Sequence, residues 1–201
     1  MIKKFMIIGA AVAVLAISGA AQVTASVLTF TLAQSGSNVF GTVSGSVDTT
    51  KLSIGAINTN SVYLWASMGY IAIGGTSSTN VRAWGGLTGP ESFGAGSWQA
   101  GAASSGDAAC HVGVSGTQGA VFLPTNYTAG ALLSGTSTWN DTTLSDRGIT
   151  PGTYTWTYNG GADSIVLQAG DSPAVPEPAF FQMGALLGMS GLGCLKLRRK
   201  A

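Results

Sequence analysis

The stretch 152–168, GTYTWTYNGGADSIVLQ, constrains the fold of this chain more than any other. Tyr154, Trp156 and Tyr158 alternate with Thr153, Thr155 and Thr157. Side chains on a β-strand point to opposite faces in turn, so this spacing predicts one aromatic face and one threonine face. The turn-formers at 159–163 and the return run 164–168 complete a hairpin whose aromatic face looks inward. The stretch 39–47, VFGTVSGSV, repeats the pattern, with Val39, Val43 and Val47 on one side and Phe40, Thr42, Ser44 and Ser46 on the other. Further strands are predicted over 27–32, 70–73, 108–114, 120–123 and 132–139. No helical period of useful length runs through 26–170. Glycine supplies 30 of 201 residues, and turns are where its positive φ costs least. Many short strands between turn signals predict an all-β fold, an antiparallel β-sandwich of Greek-key or jelly-roll kind. The stretch 95–109, AGSWQAGAASSGDAA, is expected to be a mobile loop.

Charge is segregated along the chain. Lys3 and Lys4 begin it, and Lys196, Arg198, Arg199 and Lys200 end it. Residues 26–175 hold three basic residues (Lys51, Arg82, Arg147) against seven acids, a net of −4. That balance excludes a nucleic-acid binder, which needs a basic face to displace counterions from phosphates.

The first 25 residues read as a secretory signal peptide: two lysines, an apolar run over 5–17, then small residues. Val23 and Ala25 fit a small-x-small site, with cleavage expected after Ala25; a cut after Ala21 is the alternative. Residues 179–195 carry no charge and are bounded by the basic tail 196–201. At ~1.5 Å per residue, a helix of that length reaches roughly 25 Å, enough for a single membrane span once Lys196 and Arg198 extend to the interface. Gly184 and Gly188 form a GxxxG pair, a weak pointer to helix pairing. Both basic ends are expected in the cytoplasm and everything between them outside. The two cysteines are Cys110 and Cys194, and the second lies in the apolar run. The exported part therefore has one cysteine, and its fold is expected to rest on packing, without disulfide, metal or cofactor.

The segment 171–178 is a Pro-rich tether, and it ends in Val175-Pro176-Glu177-Pro178. This motif, the apolar run after it and the Lys-Leu-Arg-Arg-Lys tail together resemble the PEP-CTERM sorting signal. The layout is similar to that of LPXTG signals: motif, span, positive tail. The start of the span, Phe180-Phe181-Gln182, departs from the usual Leu/Gly-rich sequence. The resemblance implies an exosortase partner, a membrane protease or transpeptidase that cuts near the motif, in a Gram-negative bacterium that makes exopolysaccharide. LSDRGITPGTYTWTYNGGADSIVLQAG (144–170) is similar to the last hairpin of many small PEP-CTERM substrates, and LTGPESFGAGSW (87–98) is similar to a stretch in the same group.

No catalytic site stands out. His111 follows Cys110 directly, and neighbours on a strand point to opposite faces, so the base is poorly placed for the thiol. Zinc needs three or four ligands where two cluster. Glu91 is the one glutamate in 26–170, and glycoside hydrolysis needs two placed carboxylates. Asn126 and Asn140 head N-x-T triplets, read as chance matches. Trp65, Trp84, Trp98, Trp139 and Trp156 all fall in the exported part. Trp139 and Trp156 lie in alternating strands and are expected in the core; Trp84 and Trp98 lie near glycine-rich loops and are expected at the surface. The expected function is that of an exported cell-surface or matrix protein, structural or adhesive, not enzymatic, and linked to exopolysaccharide. The alternatives are a carbohydrate-binding module on the same signal and a permanently anchored single-pass protein.

Overall fold

Thirteen strands and three short 3₁₀ turns make up the computed structural model, which describes residues 25–75, 79–107, 110–115 and 118–171. The expected signal segment before Ala25, the motif Val175, Pro176, Glu177 and Pro178, the span 179–195 and the tail with Lys196, Arg198, Arg199 and Lys200 lie outside the described residues. Among the described residues no helix is long and apolar enough to cross a membrane.

The strands are β1 (Val27–Ser35), β2 (Asn38–Gly45), β3 (Ser53–Asn60), β4 (Tyr63–Trp65), β5 (Tyr70–Ile73), β6 (Thr79–Leu87), β7 (Gln99–Ala100), β8 (Ala103–Gly106), β9 (Cys110–Ser115), β10 (Gln118–Pro124), β11 (Leu133–Trp139), β12 (Gly152–Tyr158) and β13 (Asp163–Asp171). They form two sheets, in the orders β12-β13-β1-β2-β11-β8 and β3-β6-β10-β9-β5-β4-β7. The protein is all-β, as the alternation predicts.

Alternation also decides which residues reach the core. Leu28, Phe30 and Leu32 of β1, Val39 and Val43 of β2, and Ile165 and Leu167 of β13 are buried from the first sheet. Leu64, Ile71, Ile73, Val81 and Val121 are buried from the second, and all belong to one hydrophobic cluster. The predicted faces of 39–47 hold: Val39, Val43 and Val47 are buried, whereas Phe40, Thr42 and Ser44 are exposed. The sheets approach closely at Gly41, where a β-carbon would stand 2.8 Å from Ile73 Cδ1 and 2.9 Å from Trp139 Cζ3.

The terminal hairpin also forms as read. Trp156 and Tyr158 are buried, Tyr154 is half-buried, and Thr153 and Thr155 face solvent. One pair departs from the antiparallel rule. The first and last strands, β1 and β13, run parallel, in register from Val27 opposite Ser164 to Gln34 opposite Asp171. A parallel pair cannot be closed by a tight turn. Here nearly the whole domain is the connection.

The stretch 95–109 is a correction. It contains β7, which pairs with β4, and β8, which pairs with β11. Its small residues suit it to this path. Gly101 N–H donates to the Val62 carbonyl at 2.9 Å and Ala102 N–H to the Thr138 carbonyl at 2.8 Å, so the chain crosses from one sheet edge to the other within two residues.

The loop 88–98 closes one side of the core. Phe93 is buried and meets Tyr154 edge-on, with ring centroids 6.0 Å apart. Trp156 Nε1 donates to the Pro90 carbonyl at 2.9 Å. Bridges join Thr88 to Thr157 and Gly94 to Ile149. The two stretches whose resemblance was noted from sequence, 87–98 and 144–170, are therefore in direct contact.

Candidate functional site

Burial of Leu64 sets the orientation of β4. Its neighbours Tyr63 and Trp65 must point to the opposite, outer face of the sheet. The antiparallel register places Tyr63 opposite Ala72 and Trp65 opposite Tyr70. Trp65 and Tyr70 pack as a tilted pair with centroids 6.1 Å apart. The short turn Ala66–Met68 and Gly69 bring β5 back beside β4.

A fourth ring comes from farther along the chain. β7 pairs with β4 through Leu64 opposite Gln99 and Tyr63 opposite Ala100. That pairing carries Trp98 to Tyr63, where the rings lie 6.1 Å apart at 38°. Trp98 is 52% exposed, and Tyr63, Trp65 and Tyr70 are half-buried. Beside Trp98 opens a groove of about 430 Å³, whose walls include Ser61, Val62, Gly101, Ala103 and Ser104. The result is an aromatic surface with small residues along one side, of which Ser61 and Ser104 are polar.

No acidic or basic side chain is among its four rings. Burial pushes the Tyr63 phenol up to about 12, and the neighbouring Tyr70 adds to the effect. Tyr63 therefore keeps its O–H at physiological pH. A neutral aromatic surface favours flat apolar faces that carry hydroxyls at their rims, and the axial C–H faces of sugar rings have that character. The quadrupole of each ring also attracts C–H groups that carry partial positive charge.

Trp139 and Trp156 are fully buried, as expected, and Trp98 is exposed, as expected. Trp84 is a correction: it is half-buried on β6 and packs against the core, opposite the buried Val121. The glycines after it, Gly85 and Gly86, belong to β6 rather than to a loop. Cys110 and His111 are successive residues of β9, opposite Ile73 and Ala72. Glu91 is exposed on the loop 88–98, and a β-carbon on Gly69 would stand 2.8 Å from its carbonyl oxygen. Asn126 and Asn140 are exposed. No three His, Cys, Asp or Glu side chains gather into a metal-holding group among the described residues.

The sequence reading named Trp98 and Trp65 but missed Tyr63 and Tyr70. Tyr63, Trp65 and Tyr70 carry a signal in hindsight: aromatics at both ends of the short apolar segment YLW, then another directly after a glycine-closed turn. The β4–β7 pairing that joins Trp98 to them has no local signal. No protein-family model, curated protein or solved structure matches the chain.

Proposed function

We propose that this is an exported surface or matrix protein whose β-domain, read as a two-sheet sandwich of jelly-roll kind, binds polysaccharide. The exposed Trp98, tilted against Tyr63 beside an open groove, carries this reading. The composition supports it too: a net-negative exported part with neutral aromatic rings suits a neutral glycan better than a polyanion. The test is titration of the processed protein with neutral and acidic polysaccharides, followed by tryptophan fluorescence. Trp98→Ala should lower affinity for the glycan that binds by roughly tenfold, equivalent to about 1.4 kcal/mol. Phe40→Ala, on the outer face of the other sheet, should leave it unchanged. No response to any glycan, or equal binding by Trp98→Ala, would leave a structural role alone.

The C-terminal segment supports a reading as a sorting signal. Two prolines flanking Glu177 fix their own φ angles and cannot continue a helix, so on this reading the motif should be presented extended next to the apolar span. An extended backbone at fixed depth is what a membrane protease such as an exosortase can grip, and the basic tail resists withdrawal. The intact mass of protein recovered from exosortase-positive cells should lack the span and tail. Protein from exosortase-negative cells, and a Glu177→Ala variant, should retain them. Retention in the wild-type case would make the segment a permanent anchor.

A further inference from the structure

Ser26 is gripped by three of its own groups. Its backbone N–H donates to Asp163 Oδ1 at 2.7 Å, its carbonyl accepts from Ser164 N–H at 3.0 Å, and its hydroxyl donates to the Ser46 carbonyl at 2.9 Å. The residue is 9% exposed, whereas Ala25 before it faces solvent. Asp163 is 4% exposed, and its second oxygen accepts from Asn159 Nδ2 at 2.7 Å. Both described partners of this buried carboxylate are neutral. Nearby stand the Tyr158 phenol, which burial holds above its ordinary pKa, and Asp48, whose N–H donates to that phenol at 3.2 Å. Asp163 is enclosed and no ion pair among the described residues involves it, whereas Asp48 presents its carboxylate to solvent with Lys51 nearby. A buried carboxylate in such a place is stabilised most by a cation with hydrogen-bonding protons.

We infer that the missing cation is the protein's own new N-terminus. Hydrolysis of the Ala25–Ser26 peptide bond by water leaves a carboxylate on Ala25 and an amine on Ser26. The amine, with an ordinary pKa of about 7.7–8.0, takes up a proton at neutral pH. The nitrogen that donated as an amide at 2.7 Å becomes an α-ammonium already in place against Asp163. Asp163 is thus a docking site for a processed N-terminus, and removal of the leader replaces the neutral donor of this hydrogen bond by a cationic one, giving a buried ion pair. The inference rests on the export reading, and it selects a cut after Ala25 over one after Ala21. A start at Gln22 would leave residue 26 an amide.

The test uses protein exported by cells. N-terminal sequencing and intact mass should give Ser26 as the first residue. Four processed forms are then melted: wild type, a form with one glycine inserted between Ala25 and Ser26, Asp163→Asn, and the combination. The insertion should lower the melting temperature of the wild-type background by about 5 °C or more, and have little effect in the Asp163→Asn background. If Asp163→Asn does not fold, the insertion alone decides the matter, and a change below about 1 °C would overturn the inference. Equal effects of the insertion in both backgrounds would also overturn it. An N-terminus at Gln22 would overturn it while leaving export intact, and one at Met1 would remove both.

Discussion

Replacing Trp156 by alanine is expected to cost about 3–5 kcal/mol, the range for truncating a large buried aromatic. The ring is fully buried, and its Nε1 holds the Pro90 carbonyl at 2.9 Å. Alanine leaves a cavity and an unpaired carbonyl where the loop 88–98 meets the hairpin. Against a typical stability of 5–15 kcal/mol, that loss removes a large share of the total. Chemical denaturation should show a much lower midpoint with little change in slope. Trp156→Phe keeps most of the volume and loses the hydrogen bond, so its cost should fall nearer 1–3 kcal/mol. A Trp156→Ala cost below 1 kcal/mol would mean the loop does not depend on this ring.

Gly96→Ala should produce a second large loss, for a different reason. A β-carbon at Gly96 would clash with the carbonyl oxygen of Arg147. Backbone lies on both sides of this contact, so no rotamer change relieves it. Gly96 N–H donates to the Gly148 carbonyl at 3.1 Å, and its own carbonyl accepts from Ser67 N–H at 2.9 Å. The methyl group would force the loop off the 144–149 turn at a cost of about 1–3 kcal/mol, as for other overpacked sites. Because Trp98 follows two residues later, the glycan binding we propose should weaken together with stability. An alanine variant that melts and binds like wild type would refute both expectations.

Local alternation was the most legible part of the fold. Strands that bury one face and expose the other, such as β2 and β12, can be read directly because every second residue must satisfy a different solvent. β3 could not be read this way. Its side chains from Ser53 to Thr59 are all exposed, Ile54 and Ile57 included, so no buried face imprints a period on its sequence. β6 was hidden by Arg82 and by Gly85-Gly86, which imitate a loop, and that also misplaced Trp84. β7 and β8 are too short to show a period and are built mainly from alanine, serine and glycine. They are strands because β4 and β11 offer them open edges, a property of the assembled sheets. The aromatic surface was half legible for the same reason. Trp98 stands out as an aromatic in a small-residue stretch, but its meeting with Tyr63 depends on a pairing across 35 residues of chain.

The parallel placement of β1 and β13 has a mechanical consequence. Chain entry at Val27 and chain exit at Asp171 lie at opposite ends of this strand pair. β13 is also held on its other side, by β12. Tension arriving through residue 171 pulls β13 along its own axis between two neighbours. The hydrogen bonds to β12 lie across that direction, and the slanted bonds to β1 share the load. Such bonds resist sliding together, whereas a strand peeled from its end loses them one at a time. Forced unfolding is governed by the rate of escape from the native state, and escape in shear must break several bonds together where peeling breaks them singly. A pull on the C-terminal end thus meets the first sheet in its stiffest direction, while a pull on the 159–161 turn would unzip the hairpin from its tip.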